Sequence, residues 1–151
     1  MPETVGRGYL LKFLKEMPII IGNSDGIITV SEFSKRDILK YFPIDESKIF
    51  VTPLAADAKY TPLDKLHCKN FLEKAYNLNN PFLLYLGGFS ERKNVASAIT
   101  AFSKVYKDLS ENYNLVIVGD YRDSGQKLMK LTNELNMLSH VIFAGFVPER
   151  S

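Results

Sequence analysis

An α/β architecture, a Rossmann-like parallel sheet with flanking helices, is predicted by three observations. Continuous apolar runs recur at residues 82–86, 115–118 and 141–144, and a glycine stops each one. Apolar residues at helical spacing fill the windows between these runs. Strand–helix alternation repeated in this way calls for a parallel sheet with right-handed crossovers.

The elements follow in order. Residues from about Thr4 to Met17 read as a first helix that ends near Pro18. Ile19-Ile20-Ile21 is ambiguous, either a strand or buried apolar chain. Residues 26–30 form a β-branched strand. Ser31 then caps a helix whose apolar face is Phe33, Ile38, Leu39 and Phe42, and Pro43 stops it. Residues 48–52 make the next strand. Residues 54–62 lack periodicity and read as a connector between layers or domains. A helix over 63–76 offers Leu66, Phe71, Leu72 and Ala75 for packing, and the polar turn 77–81 closes it.

The strand at 82–86 is expected to be buried on both faces, as in a parallel sheet. The helix after it starts near Asn94, with Val95, Ile99, Phe102, Val105, Tyr106 and Leu109 apolar. After the strand at 115–118, a helix over about 126–135 carries Leu128, Met129, Leu131, Leu135 and Leu138. The strand at 141–144 is closed by Gly145.

Composition narrows the function classes. With 46% hydrophobic and 24% charged residues, the 151-residue chain is an ordinary globular sequence able to bury a core. A net charge of +2 gives no reason to expect nucleic acid or an anionic membrane surface as partner. The single Cys68 excludes an internal disulfide framework and favours a reducing, cytoplasmic setting. No apolar run approaches the roughly 20 residues of a membrane span, and the N-terminus does not read as a signal peptide. The mixed apolar and basic stretch at 9–16 reads as a packed surface helix rather than an interfacial one. His67 and His140 are too isolated to form a metal pair, and no cofactor is called for.

The chemistry concentrates after the first of the three central strands. Gly87 and Gly88 allow a sharp turn and a close approach of ligand to backbone. Arg92 and Lys93 stand beside the first turn of the next helix, where backbone N–H groups and the helix dipole favour an anion. This is the pattern of a phosphate cradle. It is also the pattern of an ordinary β–α connection carrying surface charge, and a short glycine motif alone does not separate the two.

Several ordered motifs carry a family resemblance. SDGIITVSEFSKRDI (24–38), KIFVTPLAAD (48–57) with the Tyr60-Thr61-Pro62 that follows, YLGGFSERKN (85–94), AITAF (98–102), LVIVG (115–119) and VIFAGFV (141–147) stand in unbroken order. Together they resemble GT-B glycosyltransferases of family 4, also called group 1, over roughly residues 20–151. The resemblance implies a partial GT-B fold. Residues 1–60 would be the end of the N-terminal, acceptor-side domain with the interdomain connection. Residues 61–151 would be the first half of the donor-nucleotide-binding domain.

The implied reaction is transfer of a sugar, with retention, from a nucleoside-diphosphate sugar to an acceptor such as a glycan or lipid-linked glycan. Carried over by position, Lys93 would neutralise the donor diphosphate, with Arg92 beside it. The amides at Gly87 and Gly88 would line the donor cleft, and Gly119 and Asp120 would border it. Gly145, Phe146 and Val147 would meet the base through their backbone. These positions lie at carboxyl ends of strands, where open α/β sheets bind ligands.

The sequence departs from the family at Gly88, where the common pattern places an arginine. The family's Glu, seven residues, Glu motif is expected downstream of Ser151, so no catalytic residue is assigned here. The chain alone is expected to have little or no transferase activity, and any membrane attachment would belong to parts outside it. The alternative is a non-catalytic nucleotide- or phosphate-binding Rossmann-like module. The carboxylate motif after Ser151 would separate the two readings.

Overall fold

The computed structural model describes residues 5–120 and 125–148. The chain divides into two compact units, Met1–Pro62 and Leu63–Ser151.

The first unit holds α1 (Arg7–Gly22), β1 (Ile27–Thr29), α2 (Glu32–Tyr41) and β2 (Ile49–Val51). The strands pair in parallel, Ile27 opposite Ile49 and Thr29 opposite Val51. The Thr52 N–H extends the ladder by donating to the Thr29 carbonyl at 2.8 Å. Ser31 caps α2 as its side-chain chemistry predicts, its Oγ accepting from the Ser34 N–H at 3.1 Å. The helix ends when Phe42 turns extended ahead of Pro43.

Two expectations fail in this unit. The first helix does not stop near Pro18 but runs on to Gly22, so Ile19, Ile20 and Ile21 are helical rather than a strand. Pro18 costs the helix one N–H and crowds the Leu14 carbonyl, yet the helix continues past it. The helix end is then closed by the Asn23 N–H on the Ile19 carbonyl at 3.1 Å and the Ser24 hydroxyl on the Ile20 carbonyl at 2.7 Å. Ile21 is buried and anchors the last turn. Of the expected apolar face of α2, Phe33 is exposed, while Ile38, Leu39 and, just past the helix, Phe42 turn partly inward.

The second unit holds α3 (Lys65–Tyr76), β3 (Phe82–Leu86), α4 (Val95–Val105), β4 (Asn114–Val118), α5 (Gly125–Glu134) and β5 (Val141–Gly145). Its strands lie side by side in the order β3-β4-β5, all parallel. Leu83 stands opposite Leu115, and Leu115 opposite Val141. An irregularity after Ile117 brings Val118 opposite Gly145. This α/β arrangement is the Rossmann-like one expected.

Helices α4 and α5 supply the core together with the sheet. Ile99 and Ile117 are 0% exposed, with Phe102, Leu128, Met137 and Val141 packed beside them. Full burial of one such aliphatic side chain contributes about 1.5–3 kcal/mol. Thr132, which hydrophobic spacing does not select, is also fully buried. Its hydroxyl is satisfied by donating to the Leu128 carbonyl at 2.8 Å. Met129 and Leu138, expected on the apolar face, are exposed instead.

Strand β3 is not covered on both faces among the described residues, contrary to expectation. Leu84 is 61% and Leu86 75% exposed. Their face of the sheet, with Val116, Val118 and Ala144, floors an open apolar groove of about 380 Å³. Helix α3 reaches this groove with only Leu72 and Tyr76, while its Leu66, Phe71 and Ala75 remain exposed. Asp64 caps α3 through the His67 N–H at 2.7 Å, and Asn77 ends it in the left-handed conformation.

Candidate functional site

The carboxyl ends of the three strands meet in one row of glycines. The Gly87 N–H donates to the Val118 carbonyl at 3.0 Å, and the Gly119 N–H donates to the Gly145 carbonyl at 2.9 Å. All three glycines have positive φ, 152° at Gly87, 155° at Gly119 and 71° at Gly145. At Gly119 the requirement is also steric. A Cβ there would overlap the Gly87 carbonyl and press on the Phe89 ring at 3.2 Å. The edge of the sheet is therefore bare backbone, held in register by its own hydrogen bonds.

Gly88 differs from its neighbour. Its φ lies outside the positive range, and an added Cβ would meet nothing within 4 Å. Its carbonyl accepts a hydrogen bond from the Tyr85 hydroxyl at 2.8 Å. Tyr85 lies on the helix-facing side of β3, packed against the core, with its ring 6.4 Å from that of Phe89.

After the glycines, a single tight turn over Glu91–Lys93 is closed by the Lys93 N–H on the Ser90 carbonyl at 2.8 Å. Asn94 follows in the left-handed conformation, which asparagine tolerates better than most residues. Helix α4 thus begins without a side-chain cap. Arg92 and Lys93 are exposed on this turn, and neither forms an ion pair among the described residues. An open cleft of about 240 Å³ lies against the start of α4, lined by Phe89, Ser90, Glu91, Asn94 and, from α5, Lys127. Arg92 and Lys93 do not line this cleft, whose charged residues are Glu91 and Lys127. They stand on the turn just before an uncapped helix start, a setting that favours an anion.

The structure therefore brings Gly87, Gly119 and Gly145 into one hydrogen-bonded row and sets Arg92 and Lys93 on the turn that follows. Asp120 is exposed beyond Gly119. Phe146 is exposed, and Val147 is directed to the apolar groove on the other face of the sheet, away from the α4 cleft. Tyr85 and Lys127 carry no signal as site residues in the sequence. One reads as a strand residue and the other as a helix surface charge, and only tertiary contact reveals their place. Among the described residues, no group of three or more His, Cys, Asp or Glu could hold a metal ion. No helix among them is long and apolar enough to cross a membrane.

Comparison with known proteins decides the family. Residues 69–151, more than half of the chain, match the model for glycosyl transferases group 1. The chain belongs to this family. Among curated relatives of this group 1 chain, the O-antigen chain mannosyltransferase B of Escherichia coli is 26% identical over 123 residues. That match covers 82% of this chain and 32% of the relative. The alpha-1,3/1,6-mannosyltransferase ALG2 of Saccharomyces cerevisiae is 25% identical over 142 residues, covering 88% of this chain and 27% of the relative. The chain thus spans about a third or less of the length of these relatives.

The fold is shared with solved glycosyltransferase-type structures. The Anabaena protein Alr3699/HepE, determined in complex with UDP-glucose, superposes with a TM-score of 0.77 at 16% identity. The match covers 98% of this chain and 40% of that one. At that identity the likeness concerns architecture, and it extends the partial GT-B reading to nearly the whole chain.

Proposed function

We propose that the complete polypeptide transfers a hexosyl group from a nucleoside-diphosphate sugar to a glycan or lipid-linked glycan acceptor, with retention at the anomeric carbon. The donor diphosphate is held by the loop Gly87-Gly88…Arg92-Lys93. The observation that carries this reading is the strand-end glycine row opening onto a helix start with two unpaired cations, in a chain of the group 1 family.

Departure of a nucleoside diphosphate builds negative charge on phosphate oxygens. Fixed cations and backbone donors stabilise that charge as it forms and need no reorganisation to do so. Lys93 neutralises the diphosphate, and Arg92 adjoins it. Gly119 and Asp120 border the donor cleft, and the backbone at Gly145, Phe146 and Val147 meets the base. In this reading residues 1–60 complete the acceptor-side domain and its connection, and residues 61–151 open the donor domain. The division of the structure after Pro62 supports that boundary. The working environment is the cytoplasm or the membrane face bordering it.

The test is a donor screen of the complete protein. Mannosyl nucleotides come first, because the curated relatives cited above are mannosyltransferases, and UDP-glucose follows. The expected outcome is donor consumption dependent on a glycan acceptor, with NMR showing the donor's anomeric configuration kept in the product. An inverted product would overturn retention. Nucleotide binding without transfer to any acceptor would return the protein to the non-catalytic reading.

A further inference from the structure

We infer that Tyr85 is a positioning residue for the donor diphosphate, acting through the peptide that joins Gly88 to Phe89. The inference rests on the donor-loop reading above and deepens it. The Tyr85 hydroxyl donates to the Gly88 carbonyl at 2.8 Å. Gly88 has no side chain to restrain it, its φ is not positive, and the space where a Cβ would stand is open to 4 Å. Without a partner, the carbonyl of such a residue is free to swing toward the loop's open side, where its partial negative charge would repel a phosphate.

The hydroxyl ties that oxygen back toward the protein. In a planar trans peptide the C=O and the following N–H point in opposite directions. Fixing the carbonyl on Tyr85 therefore directs the positive end of the same peptide dipole away from Tyr85. The anchor itself is rigid. The Tyr85 ring packs on the core cluster and lies against Phe89, which is 7% exposed. Phe89 also lies close to Gly119, where an added Cβ would stand 3.2 Å from its ring. The glycine that departs from the family's usual arginine is thus held by a tyrosine three residues before it.

The experiment is isothermal titration of the complete protein and its Tyr85→Phe variant. The probes are UDP, GDP, ADP and CDP, and the monophosphate matching whichever binds. Lys93→Ala serves as the control for the donor loop. Tyr85→Phe keeps the ring and its packing, so the variant should stay folded, with a melting temperature at most a few degrees lower. The diphosphate should bind about three- to tenfold more weakly, the net contribution of one hydrogen bond. The monophosphate should lose less, so discrimination between the two falls. Equal losses for both nucleotides, or no loss, would overturn the role of Tyr85 while a weakened Lys93→Ala variant left the donor loop standing. If Lys93→Ala binds as the parent does, or the parent binds none of the panel, the donor loop fails and the role of Tyr85 falls with it.

Discussion

Gly87 and Gly88 are adjacent and identical in type, yet the structure uses them in opposite ways. Gly87 has a φ of 152°, donates to Val118 and carries the carbonyl that Gly119 must avoid. The fold requires it. Gly88 has ordinary backbone geometry and open space where a side chain would go. The fold does not require it, and what remains is its bare surface beside the unpaired Arg92 and Lys93. A glycine pair therefore joins a position that the fold requires to one that it leaves open, and the proposed donor loop uses the second.

The contrast can be broken at its strongest point, Gly119. Gly119→Ala would combine positive-φ strain with overlap on the Gly87 carbonyl, costing about 3 kcal/mol or more. Chemical denaturation should show this loss, and a variant as stable as the parent would refute the close approach. Gly87→Ala meets the strain alone, because its Cβ would lie 3.4 Å from the Tyr85 hydroxyl, an ordinary contact. The expected loss is about 1–3 kcal/mol in the same assay. Gly88→Ala comes last. Stability should stay within about 0.5 kcal/mol of the parent, or rise slightly as the unfolded chain loses freedom. A large destabilisation there would show that Gly88 is structural after all.

Much of this contrast is hidden in a linear reading. The runs at 82–86, 115–118 and 141–144 are legible because continuous apolar segments ending in glycine suit parallel strands, and all three appear in sequential order. The helices between them follow from spacing, with Val95, Ile99 and Phe102 buried as their pattern implies. Ile19-Ile20-Ile21 was not legible, because Pro18 signals a stop that helix-end hydrogen bonds override. Burial of β3 on both faces failed because apolar composition does not say which faces are covered. At the candidate site, Arg92 and Lys93 are local features and could be read directly. The demand on Gly119 comes from a carbonyl 32 positions away in the chain. The hydrogen bond from Tyr85 to Gly88 depends on how the strand end turns. Lys127 reaches the α4 cleft only because α5 packs beside α4.

The central claim is that the loop after β3 holds a diphosphate, and charge removal at Lys93 tests it most directly. Nucleoside diphosphate binding should be measured for the complete protein and for Lys93→Ala, at two salt concentrations. Loss of a charge-assisted contact should weaken binding about ten- to a hundredfold, with less salt dependence in the variant and an unchanged melting temperature. Equal affinity in the two proteins would contradict the account and leave Arg92 and Lys93 as surface charges on a β–α connection.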